Sequence, residues 1–391
     1  MTIIIFILIL LLLVIFHEAG HFFAAKISGV KVEEFAFGFP PRLFSIKKGE
    51  TNYVFNALPI GGYVKIFGEN GEVAKYKEKD RNFVNKSPLI KIFILSAGVV
   101  MNLVLAYILI TTSLYGTTNF QVDSNTQEYQ TFLKDGRIKD EYLVVANLTA
   151  KSPAKNSGLA VGDKIDNIYL NQEDQEGKVL LYKKLDLNQS SEAVTKKIID
   201  SFNNPDSGFG DSITIVYKND NGTATSTLAG VYGLEGAKDK KLVGISFVKF
   251  ARVNLKPGEA FRIGFIKTGE AITGTLSGFW ELFANLFKNG KISEDISGPV
   301  GIFNMVGEAS HLGIDYLLLF AAVLSISLAV FNILPFPALD GGRILFVLIE
   351  WVTRKKISEK WQGILNGAGF IILILLMVIV SARDVIHLFV K

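Results

Sequence analysis

His17, Glu18 and His21 form the pattern His-Glu-x-x-His at the end of an apolar run that begins at Ile3. On an α-helix, residues four positions apart lie on one face, about one turn from each other. Two imidazoles at this spacing can share one Zn²⁺, and the glutamate between them can act as general base toward water that the ion activates. The alternative is two unrelated polar residues at the end of a hydrophobic helix.

The composition is that of an integral membrane protein with a soluble part. The 391 residues are 49% hydrophobic and include 30 Phe, and the apolar residues are clustered in long blocks. Cysteine is absent, so any metal must be held by His and carboxylates. The formal net charge of +4 gives no reason to expect a nucleic-acid partner.

Four apolar segments predict membrane-spanning helices, at about residues 3–25, 88–115, 314–334 and 364–382. The first lacks the basic residues of a signal peptide, so we interpret it as a retained span. His17 lies about 21 Å along that helix, inside the hydrocarbon core, where an ionisable group indicates function. Side chains that extend to the interface are the weaker alternative, because Phe22 to Ala25 continue the apolar run.

The third apolar segment ends in a Pro-rich break that is followed by Asp340. Pro335 and Pro337 interrupt the helix, and Asn332 precedes them. Taken alone, this is an Asp-Gly turn at a membrane surface. Beside a His-Glu-x-x-His pattern that lacks a third ligand, Asp340 becomes the candidate for that ligand.

Two further polar features lie near the first two spans. Pro59–Gly68 predicts a β-hairpin with glycines at its bends, either lining a cavity at membrane depth or lying in the cytoplasm. An exposed edge of this hairpin could take an extended peptide by strand addition. Asn102, in the middle of the second span, either joins a polar interior or hydrogen-bonds to a neighbouring helix, which is commoner.

Residues 119–255 have the short apolar runs and polar turns of a soluble domain. A short helix and a Gly-Asp turn within Ser152–Ile165, a helix near 190–202 and a hairpin near 213–228 resemble a circularly permuted PDZ domain. Such domains bind a peptide or chain end along a sheet edge. The segment Gln172–Leu187 is longer than the usual strand-to-helix connection. Residues 258–289 predict an amphipathic helical region on the outer membrane surface, compatible with packing against the PDZ-like domain.

Loop charges predict the orientation. By the positive-inside rule, the basic loops between spans one and two and between spans three and four are cytoplasmic. Both termini and the PDZ-like domain are then periplasmic, and His17, His21 and Asp340 approach the cytoplasmic side. The first of these loops carries Lys26, Lys31, Arg42, Lys47, Lys48, Lys65, Lys75, Lys77, Lys79, Arg81 and Lys86.

With these pieces together, the chain resembles the site-2 proteases, which are intramembrane zinc metalloproteases, and among them the RseP-like regulators of sigma-factor signalling. The resemblance rests on His17–His21, on the segment 332–341 and on the PDZ-like insertion. Pro59–Gly68 matches the family's membrane-inserted β-loop, and Ser297–Ile302 matches a segment before its third core span. The chain departs from close relatives in having one PDZ-like domain instead of two, and in having Val99 where they often have Pro.

The resemblance implies one Zn²⁺ held by His17, His21 and Asp340, with Glu18 as catalytic base. It implies single-span membrane proteins as substrates, such as anti-sigma factors and remnant signal peptides, cut within a bacterial inner membrane. Asn332 would help to hold the unwound substrate. The expected substrate-binding residues are Gly61, Gly62, Tyr63, Val64, Asn332, Pro335 and Pro337.

The predicted fold is a polytopic α-helical membrane protein of about four spanning helices and a membrane-associated β-hairpin, with an inserted α+β PDZ-like domain. The expected divisions are 1–118, 119–255, 256–300 and 301–391. Two other functions stay open. An ion or metal carrier could relay protons through intramembrane His, Glu and Asp, although it predicts more spans and inverted repeats. A non-catalytic PDZ scaffold is the other, and the intact ligand and base residues argue against it.

Overall fold

The computed structural model describes residues 2–69, 80–121, 127–149, 152–174, 176, 178–204, 209, 212–219, 222–234, 239–289 and 298–390. The chain forms two compact units. The first combines Met1–Ser113 with Ala260–Leu388, and the second combines Leu114–Glu259 with Phe389–Lys391. The predicted soluble range 119–255 falls within the second unit, and the predicted spans fall within the first, apart from residues 114–115 at the end of the second span.

The helices and strands follow one another in chain order. They are α1 (Thr2–Ile27), β1 (Val32–Lys48), β2 (Thr51–Ile66), α2 (Pro88–Ser113), β3 (Gly116–Gln121), α3 (Gln127–Lys134), β4 (Ile138–Leu148), β5 (Lys164–Glu173), β6 (Val179–Lys184), α4 (Ser191–Asn203), β7 (Ser212–Asn219), β8 (Gly222–Ala229), β9 (Ile245–Leu255), α5 (Pro257–Asn289), α6 (Pro299–Leu312), α7 (Ile314–Ile333), α8 (Asp340–Thr353) and α9 (Glu359–Val390).

Four helices of the described residues are long and apolar enough to cross a membrane. They are α1, α2, α7 and the segment Lys360–Ile386 of α9. The four predicted spans are therefore confirmed as helices of spanning length. The predicted amphipathic region 258–289 corresponds to one helix, α5.

Helices α1 and α2 lie close together because Gly20 has no side chain. A Cβ at Gly20 would lie 2.3 Å from the carbonyl oxygen of Ala97 on α2, nearer than a side chain tolerates. Toward the C-terminal end of α1, Ala25 shares one buried core with Ile94 of α2 and Val347 of α8. The helix that carries the His-Glu-x-x-His pattern is thereby packed against α2, in a core to which α8 also contributes.

The strands β1 and β2 form a curled antiparallel sheet that differs from the predicted hairpin. Phe35 and Ala36 of β1 pair with Tyr53 and Val54 on one side, and also with the segment 63–64 on the other. The predicted hairpin within Pro59–Gly68 is therefore wrong, since Gly62–Ile66 pairs with β1 and does not fold back on itself. The longer-range pairing supplies partners on both sides of β1 and buries Phe35 and Ala36.

The second unit is built on one seven-stranded sheet of order β3-β9-β4-β5-β7-β8, with β6 also paired to β5. Helix α4 packs against β9 and buries Val194 and Ile198 in the core. The predicted helix near 190–202 and hairpin near 213–228 correspond to α4 and to β7–β8. The short helix expected within Ser152–Ile165 is wrong: turns take its place, with Gly158 and Gly162 at positive φ.

The N-terminus of α6 is held by a side chain from α9. Asp384 Oδ2 accepts hydrogen bonds from the backbone N–H of Gly298 at 2.9 Å and of Gly301 at 2.8 Å. The first N–H groups of a helix have no partner within the helix, so this carboxylate acts as a remote cap. It ties the segment before the third span to the fourth.

Replacing Asp384 with Ala is expected to lower the free energy of unfolding by about 1–2 kcal/mol, because two helix N–H groups lose their acceptor. Thermal unfolding of the purified protein in detergent measures the change. Asp384→Asn is the matched control, because an amide oxygen of similar reach still caps. Equal stability of the Ala variant and the unchanged protein would contradict this role.

Candidate metal centre

His17, His21 and Asp340 meet in the first unit at a single point. His17 Nε2 lies 3.0 Å and His21 Nε2 lies 3.3 Å from Asp340 Oδ2. The two imidazole nitrogens are 3.2 Å apart. Both histidines are buried and Asp340 is half-buried. The three ligands predicted from the sequence therefore lie together in the structure, although Asp340 is more than 300 positions from the histidines in the chain.

The three atoms fit a zinc ion. Tetrahedral coordination with bonds of 2.0–2.1 Å places neighbouring ligand atoms about 3.3 Å apart, close to the separations of 3.0, 3.2 and 3.3 Å. Asp340 Oδ2 is buried and forms no hydrogen bond of good geometry with the described residues, although both imidazole Nε2 atoms lie within 3.3 Å of it. A buried carboxylate oxygen is costly without a partner, and a cation between the three atoms would supply one. His₂-carboxylate is a donor set that leaves the fourth position open.

Contacts with α2 orient the imidazoles. His21 Nδ1 lies 2.9 Å from the carbonyl oxygen of Ile94. Because a carbonyl only accepts, Nδ1 carries a proton, and in the neutral imidazole Nε2 then keeps its lone pair, on the side of Asp340. Gly98 of α2 leaves space for both rings: a Cβ there would lie 2.4 Å from His21 Nε2 and 2.8 Å from His17 Nε2. Sequence reasoning did not assign Gly98 to the site, because the closeness of helix faces cannot be read from one sequence.

The Pro-rich break positions Asp340 at the first residue of α8, where the helix dipole favours a carboxylate. The two glycines after Asp340 allow the backbone of α8 to pass close to the end of α7 and to the break. A Cβ at Gly341 would lie 2.2 Å from the carbonyl oxygen of Ile333, and one at Gly342 would lie 2.2 Å from that of Phe336. The sequence Asp-Gly-Gly therefore brings the carboxylate back beside the end of α7.

A cavity of about 380 Å³ contains this centre. Glu18 lines it together with both histidines and Asp340 but is not one of the three clustered ligand residues. Tyr63 and Val64, predicted from the sequence, also line the cavity. The other lining residues, which sequence reasoning did not single out, are Lys65, Ile66, Glu69, Leu95, Ala338 and Arg343.

Two polar contacts stabilise the cavity wall. Tyr63 donates a hydrogen bond of 3.0 Å to Glu34 Oε2. Burial raises the pKa of Tyr63, and the bond to the Glu34 carboxylate raises it further, so the hydroxyl stays a neutral donor at physiological pH. Arg343 of α8 forms an ion pair with Glu69, which joins the segment after β2 to the helix that carries Asp340.

The remaining predicted residues lie outside the set that lines the cavity. A Cβ at Gly62 would lie only 2.7 Å from the carbonyl oxygen of Ala36. Gly61 has a φ of 101° and lies against the ring of Phe39. Asn332 is half-buried near the end of α7. Pro337 packs on Gly369 of α9, where a Cβ would lie 2.5 Å from the proline carbonyl oxygen. Pro335 lies exposed in the break.

Fold and site together define a polytopic membrane protein with a His₂-carboxylate cluster that could hold a metal ion. The model of "Peptidase family M50" matches residues 5–376. The chain belongs to this family, the site-2 protease family of zinc metalloproteases. Its cofactor is zinc.

Relatives of similar length are named as zinc metalloproteases. A Clostridium perfringens protein named "Putative zinc metalloprotease" is 33% identical over 377 residues, covering 96% of this chain and 95% of the relative. A Fusobacterium nucleatum protein of that name is 32% identical and covers 100% of both chains. A third, from Synechocystis, is 30% identical over 97% of this chain and 93% of its own.

Proposed function

We propose that this protein is a zinc-dependent intramembrane endopeptidase that cleaves the spanning segments of single-span membrane proteins. Anti-sigma factors and remnant signal peptides are the proposed substrates. The observation that carries the proposal is that His17, Glu18 and His21, on a helix apolar enough to span a bilayer, share one cavity with Asp340 at the start of α8. His17, His21 and Asp340 are the proposed ligands, and Glu18 is the proposed base.

The chemistry assigned to the chain's own residues is proton transfer and positioning. When bound, zinc supplies a Lewis acid that polarises the scissile carbonyl and makes water a better nucleophile. The Glu18 carboxylate takes a proton from the attacking water, whose oxygen forms the new bond to carbon. It then delivers that proton to the amide nitrogen as the peptide bond breaks. The products are a carboxylate and an amine, so no further reactant is consumed.

A substrate helix must unwind before this reaction, because its peptide groups are hydrogen-bonded to one another. Residues 62–66 of β2 pair with β1, and Tyr63, Val64, Lys65 and Ile66 face the metal cavity. We assign the extended substrate to this strand by backbone pairing. Gly61 and Gly62 would let the substrate approach, and Asn332, Pro335 and Pro337 would hold its other side.

The second unit is proposed to be a PDZ-like domain that selects substrates. Among the described strands, Ile245–Lys249 of β9 pairs only with β4, because β3 covers only residues 250–255. Helix α4 packs against the same strand. A strand edge beside a helix is the arrangement that takes a peptide or chain end. The domain would admit substrates whose outer portion has been trimmed.

The proposed orientation rests on the loop charges. The proposed location is a bacterial inner membrane, and the positive-inside rule supports an orientation with both termini and the PDZ-like domain in the periplasm. The metal centre is then near the cytoplasmic side of the bilayer. The lipid bilayer itself is a partner of the four spanning helices.

The purified protein in proteoliposomes is expected to cut a single-span reporter within its apolar segment. Removing zinc with a chelator should reduce cleavage to background, because the reaction needs the ion. Added zinc should restore cleavage, because histidine and carboxylate ligands, unlike thiols, are not oxidised while the ion is absent. Mass spectrometry of the products locates the cut. A soluble peptide of the same sequence is the control. Absence of cleavage by zinc-loaded protein, across reporters with trimmed and untrimmed outer portions, would refute the proposed activity.

A further inference from the structure

Asn102 of α2 is fully buried among apolar helices, and its side chain faces the metal centre. Its Nδ2 lies 3.3 Å from His17 Nδ1, and its backbone carbonyl accepts a 2.8 Å hydrogen bond from Ser325 of α7. The other side-chain atom, Oδ1, is buried without a hydrogen-bond partner among the described residues. A buried amide costs free energy unless its atoms are bonded. The contact that satisfies this side chain is therefore the one to His17.

The direction of that contact decides which nitrogen of His17 can bind metal. An Nδ2–H donor would require a lone pair on His17 Nδ1 and would put the imidazole proton on Nε2, which faces Asp340 Oδ2 at 3.0 Å. A protonated Nε2 cannot bind zinc. A half-turn of the amide about its Cβ–Cγ bond presents Oδ1 to His17 at nearly the same position, and hydrogen bonding decides which orientation is adopted.

We propose that Asn102 is a positioning residue, whose amide oxygen accepts the Nδ1–H of His17 and thereby fixes the tautomer that directs Nε2 at zinc. The carbonyl of Ile94 holds His21 in the same way, at 2.9 Å from its Nδ1. One metal-binding imidazole is thus oriented by a backbone carbonyl and the other by a side-chain amide, both from α2. Partners of this kind set the orientation and basicity of zinc-binding histidines. The inference rests on the proposed ligand set.

The test is the zinc affinity of the full chain in detergent, measured by competition with a chromophoric chelator. Asn102→Leu, which keeps the side-chain size but cannot accept a hydrogen bond, should weaken zinc binding by about 10–100-fold. Asn102→Asp, which keeps an acceptor at the same reach, should restore binding to within about tenfold of the unchanged protein. The d–d absorption of Co²⁺-loaded protein should change in the Leu variant and recover in the Asp variant.

Two controls separate orientation of His17 from helix packing. Ser325→Ala removes the hydrogen bond to the Asn102 backbone and should leave zinc affinity unchanged. If Asn102→Leu does not fold, Asn102→Ala gives the same comparison with a smaller side chain. Unchanged affinity in the apolar variants, or equal loss in Asn102→Asp and Asn102→Leu, would overturn the proposal. If the unchanged protein itself binds no zinc, the proposed ligand set fails instead, so the two failures are distinguishable.

Discussion

Glu18→Gln is expected to retain zinc and to lose cleavage of a membrane-spanning reporter by about 10²–10⁴-fold. Glu18 lines the metal cavity but is not among the three clustered ligand residues. Glutamine has nearly the same size and shape, so the cavity and the ligands should keep their positions. It cannot take a proton from water at neutral pH, so the attacking nucleophile is not generated. Single-turnover cleavage in proteoliposomes and metal analysis of the same preparation measure the two effects.

The matched control for Glu18→Gln is Glu270→Gln, on the exposed part of α5, where the carboxylate pairs only with Lys267 at 2.8 Å among the described residues. That variant loses one carboxylate as well, and its cleavage rate should stay within about twofold of the unchanged protein, since surface pairs contribute little. Cleavage by Glu18→Gln at the unchanged rate would remove Glu18 from the mechanism. Loss of zinc together with cleavage would make Glu18 a ligand instead of the base.

The proposed ligand residues could be predicted from the sequence because the histidine pair has a local signal, and a pair that lacks a third ligand makes Asp340 the candidate for it. His17 and His21 are one helical turn apart. Asp340 follows a Pro-rich segment, and the prolines end the preceding helix. The pairing of residues 62–66 with β1 could not be predicted in this way. It depends on which of several apolar strands lie side by side, and the register of long-range pairs is not encoded in a ten-residue window.

The residues that surround the site could not be predicted from the sequence either. The sequence left two alternatives for Asn102, a polar interior or a bond to a neighbouring helix, and the structure combines them, since the bond goes to His17 on α1. Gly98 gave no sequence signal beyond being a small residue in a span. Its significance comes from the close approach of α1 and α2 at Gly20, which only the packed structure reveals.

Gly98→Ala is expected to abolish tight zinc binding and cleavage together. The added Cβ would lie 2.4 Å from His21 Nε2 and 2.8 Å from His17 Nε2, whereas ordinary contacts begin at 3.4 Å. At least one imidazole must therefore move by about 1 Å, and a displacement of this size at a reacting centre costs about 10²-fold or more. Zinc affinity by chelator competition and reporter cleavage should both fall by at least that factor.

A helical glycine elsewhere tells whether the added methyl group acts through the metal centre. Gly367 of α9 also lies in a spanning helix, and a Cβ there meets nothing within 4 Å, so Gly367→Ala should leave zinc affinity and cleavage unchanged. If Gly98→Ala melts at the same temperature as Gly367→Ala but has lost zinc, the methyl group has displaced the ligands without unfolding the helices. Retained zinc and full cleavage in Gly98→Ala would mean that α2 can move away from α1. Such a movement would separate Gly20 from Ala97 and open the core that Ala25 and Ile94 share, so it would cost packing energy. The ligand geometry would thus depend on two glycines, Gly20, which sets the distance between the helices, and Gly98, which leaves room for the two imidazole rings.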